Sequence, residues 1–263
     1  MPEEIKKVLI AAMEGVSGSD VYEAVRAGSM PSLQRLMADG VAIPGIAVDA
    51  TAASSWATLA TGAHASTHGE GEGKDCRAQY IWQAAERASK RGLLLGGFPA
   101  SSPPELQSAH PEDLVRPEAQ DAGYYEQVNS YLLSSPDWDI ALVRIPASAE
   151  GLGEADDAAG RVLDTADFET MRVLVVVPDG PGDGFAILEG PGIRRGTVVE
   201  RPVELADIAP TICYLAELPV PAECEGGIIY QALEDPDCKI LELQSCRRNY
   251  ERLRRSTGAT PMC

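Results

Sequence analysis

KKVLIAAMEG (residues 6–15) is a short apolar run that opens on two lysines and stops at an acid and a glycine. Its length and β-branched content suit a strand buried on both faces; a strand covered on one face only alternates apolar and polar residues. Burial on both faces requires helices above and below a sheet, and the chain supplies them on either side of further apolar runs. Ser19 or Asp20 can cap a helix over Val21 to Ala27, which Gly28-Ser29-Met30-Pro31 breaks. Pro31 suits the first turn of the next helix, whose apolar face is Leu33, Leu36 and Met37 and whose end is Gly40.

Outward from there the alternation continues. Val41 to Val48 reads as a strand, and Ala52 to Ala60 as a helix stopped by Gly62. Ile81 to Lys90 is a helix and Leu93 to Phe98 a strand. Pro99 to Ala122 has no period and reads as a long surface excursion. Then follow a helix (Tyr124 to Leu133), a strand (Asp139 to Ile145), a helix (Glu154 to Thr165) and two strands (Val173 to Val177, Phe185 to Leu188). The pattern predicts an α/β fold, a three-layer αβα sandwich around a mainly parallel sheet.

The chain has 263 residues, 44% of them hydrophobic, enough for one large domain with a sizeable core. We divide it into an α/β domain over 1–233, with a reduced cap excursion at about 99–136, and a helical tail over 234–263. Forty acidic against 22 basic residues give a net charge of −18, which argues against nucleic-acid phosphates and anionic membranes as partners. The first residues do not read as a signal peptide and no apolar run reaches the roughly 20 residues that span a bilayer, so the expected location is cytoplasmic. The six cysteines contain no Cys-x-x-Cys pair and read as free thiols, with a Cys238–Cys246 bridge the lesser alternative. The tail carries Arg247, Arg248, Arg252, Arg254 and Arg255 beside an apolar set. It either docks on the acidic body of its own chain or forms a homodimer contact.

Three segments resemble the alkaline phosphatase superfamily, most of all its phosphodiesterase, nucleotide-pyrophosphatase and phosphoglycerate-mutase-related branch. They are KKVLIAAMEGV with MPSLQRLMADGV, SSWATLATGAHASTHGE (54–70), and RVLVVVPDG followed by GPGIRRGTVVERPVELADIAPTICYLAELPVPAECEGGII. YIWQAAERASKRGLLLGGFPASSPP and DIALVRIPASAEGLG fall between them in the order the family would have. The resemblance covers nearly the whole chain up to about Leu233. It implies two divalent ions, held by Asp and His at strand ends, that flank a Thr or Ser nucleophile and polarise a phosphoryl or sulfuryl group.

Carried over residue by residue, that set is largely missing. The first strand-end Asp becomes Glu14. The nucleophile position falls on Ala52, with Thr51 and Ser54 the nearest hydroxyls. The Asp-x-x-x-His element falls on Ser148 and Leu152, with Glu150 at the wrong spacing. The Asp-His-Gly element reads Pro178-Asp179-Gly180, and no His follows His110, so Asp183 is the nearest substitute for the last ligand. His64 and His68 fall where the family's His is structural. No catalytic residue, no cofactor and no two-zinc site is therefore expected. The reading is a protein that has lost two-metal hydrolase chemistry and binds a ligand or partner. The alternative is a phosphomonoester, phosphodiester or sulfate ester hydrolase with a rearranged carboxylate site. Glu14, Asp179 and Asp183 would then hold one Mg²⁺, Mn²⁺ or Ca²⁺, and Thr51 or Ser54 would attack. Asp207 is read as the cap of the helix at Asp-Ile-Ala-Pro-Thr.

Overall fold

A computed structural model describes residues 7–70, 75–96, 122–134, 137–179 and 182–235. The opening run is strand β1 (Lys7–Glu14), in the middle of a sheet of seven strands. The others are β2 (Val41–Ile46), β3 (Gly92–Leu95), β4 (Ile140–Pro146), β5 (Met171–Val177), β6 (Gly184–Glu189) and β7 (Thr197–Val198). Their order is β3-β4-β1-β5-β6-β2-β7, and β6 alone runs against its neighbours. The mainly parallel sheet is as the sequence predicts.

Two apolar cores lie on the two sheet faces, because successive strand residues point to opposite sides. Val8, Ile10 and Ala12 of β1 join one core, with Trp56, Ala57, Ile81, Ile208 and Ile212. Those residues come from helices α3 (Ala52–Thr61), α5 (Ile81–Arg87) and α8 (Ile208–Ala216). The short helix α4 (Ala65–His68) follows α3. Leu9, Ala11 and Met13 join the other core, with Val21, Leu33, Val128 and Val162. These lie on α1 (Gly18–Arg26), α2 (Pro31–Asp39), α6 (Ala122–Ser134) and α7 (Leu152–Leu163). Helix α6, which the sequence places inside the cap excursion, buries Tyr124, Tyr125, Val128 and Leu132 in this core and so belongs to the helical layer. The rest of the excursion between 97 and 121, the 234–263 tail beyond Asp235, and Cys238 and Cys246 lie outside the described residues.

Several local expectations are corrected. Strand β2 stops at Ile46, not Val48: Pro44 lacks an N–H, and Gly45 at φ 69° shifts the register between Pro44 and Ile46. Neither Ser19 nor Asp20 caps α1. The cap residue is Ser17, which makes no side-chain cap bond, and Asp183 supplies the acceptor through Oδ1 to the Ser19 N–H at 3.1 Å. The Gly18 N–H donates to the Asp183 carbonyl at 2.8 Å. This approach requires glycine, since a Cβ on Gly18 would lie 2.3 Å from the Gly184 carbonyl carbon. Asp207 does not cap α8 with its side chain; its two oxygens accept from Glu204 N at 3.0 Å and Gly227 N at 2.7 Å.

Helix α2 has its own solution. Its cap position is Met30, whose side chain makes no cap hydrogen bond. The buried carboxylate of Asp156, on α7, accepts instead from Ser32 N at 2.9 Å and Leu33 N at 3.0 Å. A negative charge there also complements the partial positive end of the helix.

Candidate active site

Parallel strands end their carboxyl edges on one side of the sheet, and crevices at that edge are where open α/β sheets bind ligands. Glu14 ends β1 there, Arg144 lies near the end of β4, and Asp179 follows β5. Glu14 and Arg144 lie on the same sheet face, since Ala12 pairs with Arg144 and Glu14 with Pro146 in register. This is the face packed by α3.

Glu14 accepts a charge-assisted hydrogen bond from Arg144 Nη2. Arg144 Nη1 donates to the Gly96 carbonyl at 3.3 Å, and its buried Nε has no hydrogen-bond partner among the described residues. Asp179 is 6% exposed. Its Oδ2 accepts from Trp56 Nε1 at 3.1 Å and its Oδ1 from Gly15 N at 3.3 Å. Burial pushes the Asp179 carboxyl up from its usual range; the Trp56 bond opposes this, Glu14 adds to it, and Gly15 and Arg144 oppose it. Burial also lifts the Tyr124 hydroxyl to about 12, against the pull of Arg144.

The residues that the sequence singles out come together only in part. Glu14 and Asp179 flank the β1–α1 turn. Asp183 also faces that turn, but its carboxylate is spent on the N-terminus of α1. Thr51 caps α3, its hydroxyl accepting from Ser54 N at 3.2 Å, as its position predicts. Ala52 is the exposed first residue of α3. Ser54 is buried and donates to Asp49 Oδ2 at 3.1 Å. Ser148 accepts from Gly151 N at 3.2 Å and so caps a short turn, while Leu152 begins α7 and packs on the core. His110 lies outside the described residues.

His64 is half-exposed, 3.6 Å from Glu204. His68 is fully buried, and its hydrogen bonds fix its tautomer. Nδ1 accepts from Glu70 N at 2.9 Å, so the ring proton is on Nε2, which donates to Thr58 Oγ1 at 2.9 Å. Thr58 then donates to Asp49 Oδ2 at 2.5 Å. Burial lowers the His68 pKa, and the Asp49 charge opposes the shift. The network ties α3 to the β2 end and to α4, a structural role.

The two-metal set that the resemblance implies does not fit these residues. Among the described residues no three of His, Cys, Asp and Glu are grouped to hold an ion. Glu14 already faces the full positive charge of Arg144, and both Asp179 oxygens accept N–H groups. Arg144 and Trp56 escaped the sequence reading. The signal was there for Arg144, the only charged side chain in the run Ile140–Pro146.

No protein-family model and no curated protein matches the sequence. Solved structures do match. A phosphonate monoester hydrolase from Silicibacter pomeroyi is 15% identical, with a TM-score of 0.67 over 85% of this chain and 76% of its own. The corresponding enzyme of Agrobacterium radiobacter is 16% identical, with a TM-score of 0.69 over 87% and 77%. The murine ectonucleotide pyrophosphatase/phosphodiesterase 5, as an inactive variant in complex with AMP, is 10% identical, with a TM-score of 0.65 over 82% and 96%. Among the described residues no helix is long and apolar enough to cross a membrane. The central sheet, its helical layers and these neighbours together give the chain the fold of the alkaline phosphatase superfamily.

Proposed function

We propose that this chain is a non-hydrolytic protein of that fold, which binds a small ligand or a protein partner without two-metal chemistry. The observation that carries the reading is the Glu14–Arg144 ion pair at the position of the first metal ligand. Ala52 at the start of α3 supports it, since a methyl group cannot attack phosphorus or sulfur. Metal analysis of the purified protein tests it, together with assays on p-nitrophenyl phosphate, bis-p-nitrophenyl phosphate and p-nitrophenyl sulfate. The expected result is no turnover. Turnover abolished by chelator would overturn the reading.

The alternative is a hydrolase with a rearranged carboxylate site, in line with the named activities of the structural neighbours. Ser54, hydrogen-bonded to Asp49, or Thr51 would attack, with Mg²⁺, Mn²⁺ or Ca²⁺ among Glu14, Asp179 and Asp183. It requires that Asp179→Ala abolish turnover in a folded protein. For the tail over 234–263 we propose a homodimer contact, tested by light scattering on a chain truncated near Asp237; an unchanged oligomeric state removes it. A reducing, cytoplasmic compartment suits the described thiols Cys76, Cys213 and Cys224, which form no bridge.

A further inference from the structure

We infer that Arg144 is a built-in counter-cation, which neutralises the carboxylates at the end of β1 and keeps divalent ions out of the site. The inference rests on the non-hydrolytic reading above and explains it physically. Arg144 extends from an otherwise apolar face, after Ile140 and Leu142 in alternation, so its stem is packed and its charge is delivered at the sheet edge. Its side chain is 28% exposed and that of Glu14 is 15% exposed. Nη2 binds Glu14 and Nη1 is held by the Gly96 carbonyl. The guanidinium is therefore anchored by Glu14 of β1 and by Gly96, just past β3, and cannot swing away without leaving Glu14 uncompensated.

The effect on a metal ion is electrostatic. Asp179 lies beside Glu14, since its Oδ1 accepts from the N–H of the next residue, Gly15, at 3.3 Å. A divalent ion attracted by Glu14 and Asp179 meets Arg144 at the same carboxylate, and the two cations repel at short range in a partly desolvated site. Removal of the guanidinium frees the Glu14 carboxylate, a hard oxygen ligand of the kind that Mg²⁺ or Mn²⁺ takes.

Arg144→Gln removes the charge and leaves a shorter, uncharged polar side chain. Mn²⁺ titration, followed by electron paramagnetic resonance and thermal denaturation, reads the result without any turnover. The expected outcome is Mn²⁺ uptake by the variant at least about tenfold tighter than by the wild type, a difference of about 1.4 kcal/mol. Mn²⁺ should also raise the variant's Tm alone. Equal uptake by both proteins, or none by either, overturns the inference. A wild type that hydrolyses esters would instead overturn the non-hydrolytic reading. Should Arg144→Gln fail to fold, Arg144→Met, an uncharged side chain with an apolar stem, takes its place in the same Mn²⁺ titration. Tighter uptake than by the wild type supports the counter-cation role, and equal uptake overturns it.

Discussion

The carboxylate of Asp156, on α7, accepts the backbone N–H of Leu33, on α2, at 3.0 Å across 123 residues of sequence. One side chain thereby caps a helix whose own cap residue, Met30, makes no side-chain cap bond. Asp156→Ala leaves the N–H groups of half-buried Ser32 and buried Leu33 without it, and an unsatisfied helix start of this kind costs about 1–3 kcal/mol. Chemical denaturation should show that loss. Asp156→Asn, with one acceptor left, should lose less.

Asp179 should give stability a distinct pH dependence. Its folded pKa is raised above the 3.8 of the unfolded chain. Between those two values the native state holds more protons, so this group's contribution to stability falls as pH rises. Asp179→Asn does not titrate. The Tm of the wild type relative to Asp179→Asn should therefore decline as pH rises from 3.8 upward. A flat difference would mean that the carboxyl is not perturbed.

His68 should act in the opposite direction. Its folded pKa lies below the unfolded value of 6.5, because the ring is held neutral in a buried site. The unfolded state then takes up the proton first as pH falls, so the contribution is complete above 6.5 and declines below it. His68→Gln should remove that acid sensitivity. Denaturation of both proteins on either side of pH 6.5 checks it.

Restoring a hydroxyl should not restore chemistry. Ala52→Thr puts an alcohol at the exposed start of α3, but Glu14 remains tied to Arg144. The variant should fold with a stability near that of the wild type, as exposed substitutions usually do within about 0.5 kcal/mol. It should remain inactive on p-nitrophenyl esters.

What the sequence revealed and what it hid follow a physical division. Runs such as Val173 to Val177 and the alternation of strands with helices are local signals, and the sheet with helices on both faces follows them closely. The Thr51 cap is likewise local, a hydroxyl three residues before the N–H it accepts. The site depends on pairings between distant segments. Arg144 meets Glu14 across 130 residues and Trp56 meets Asp179 across 123. Asp183 leaves the site for the N-terminus of α1, a competition between two uses of one carboxylate that composition cannot settle. The reversed β6 and the early end of β2 at Ile46 are also set by tertiary pairing.

The Trp56–Asp179 contact makes the protein its own optical probe. The chain has three tryptophans, and one of them touches the buried carboxyl directly. With Trp82 and Trp138 replaced, the emission of the remaining indole would follow the protonation of Asp179 and the arrival of any cation beside it. Events at the sheet edge could then be watched in real time without an added label.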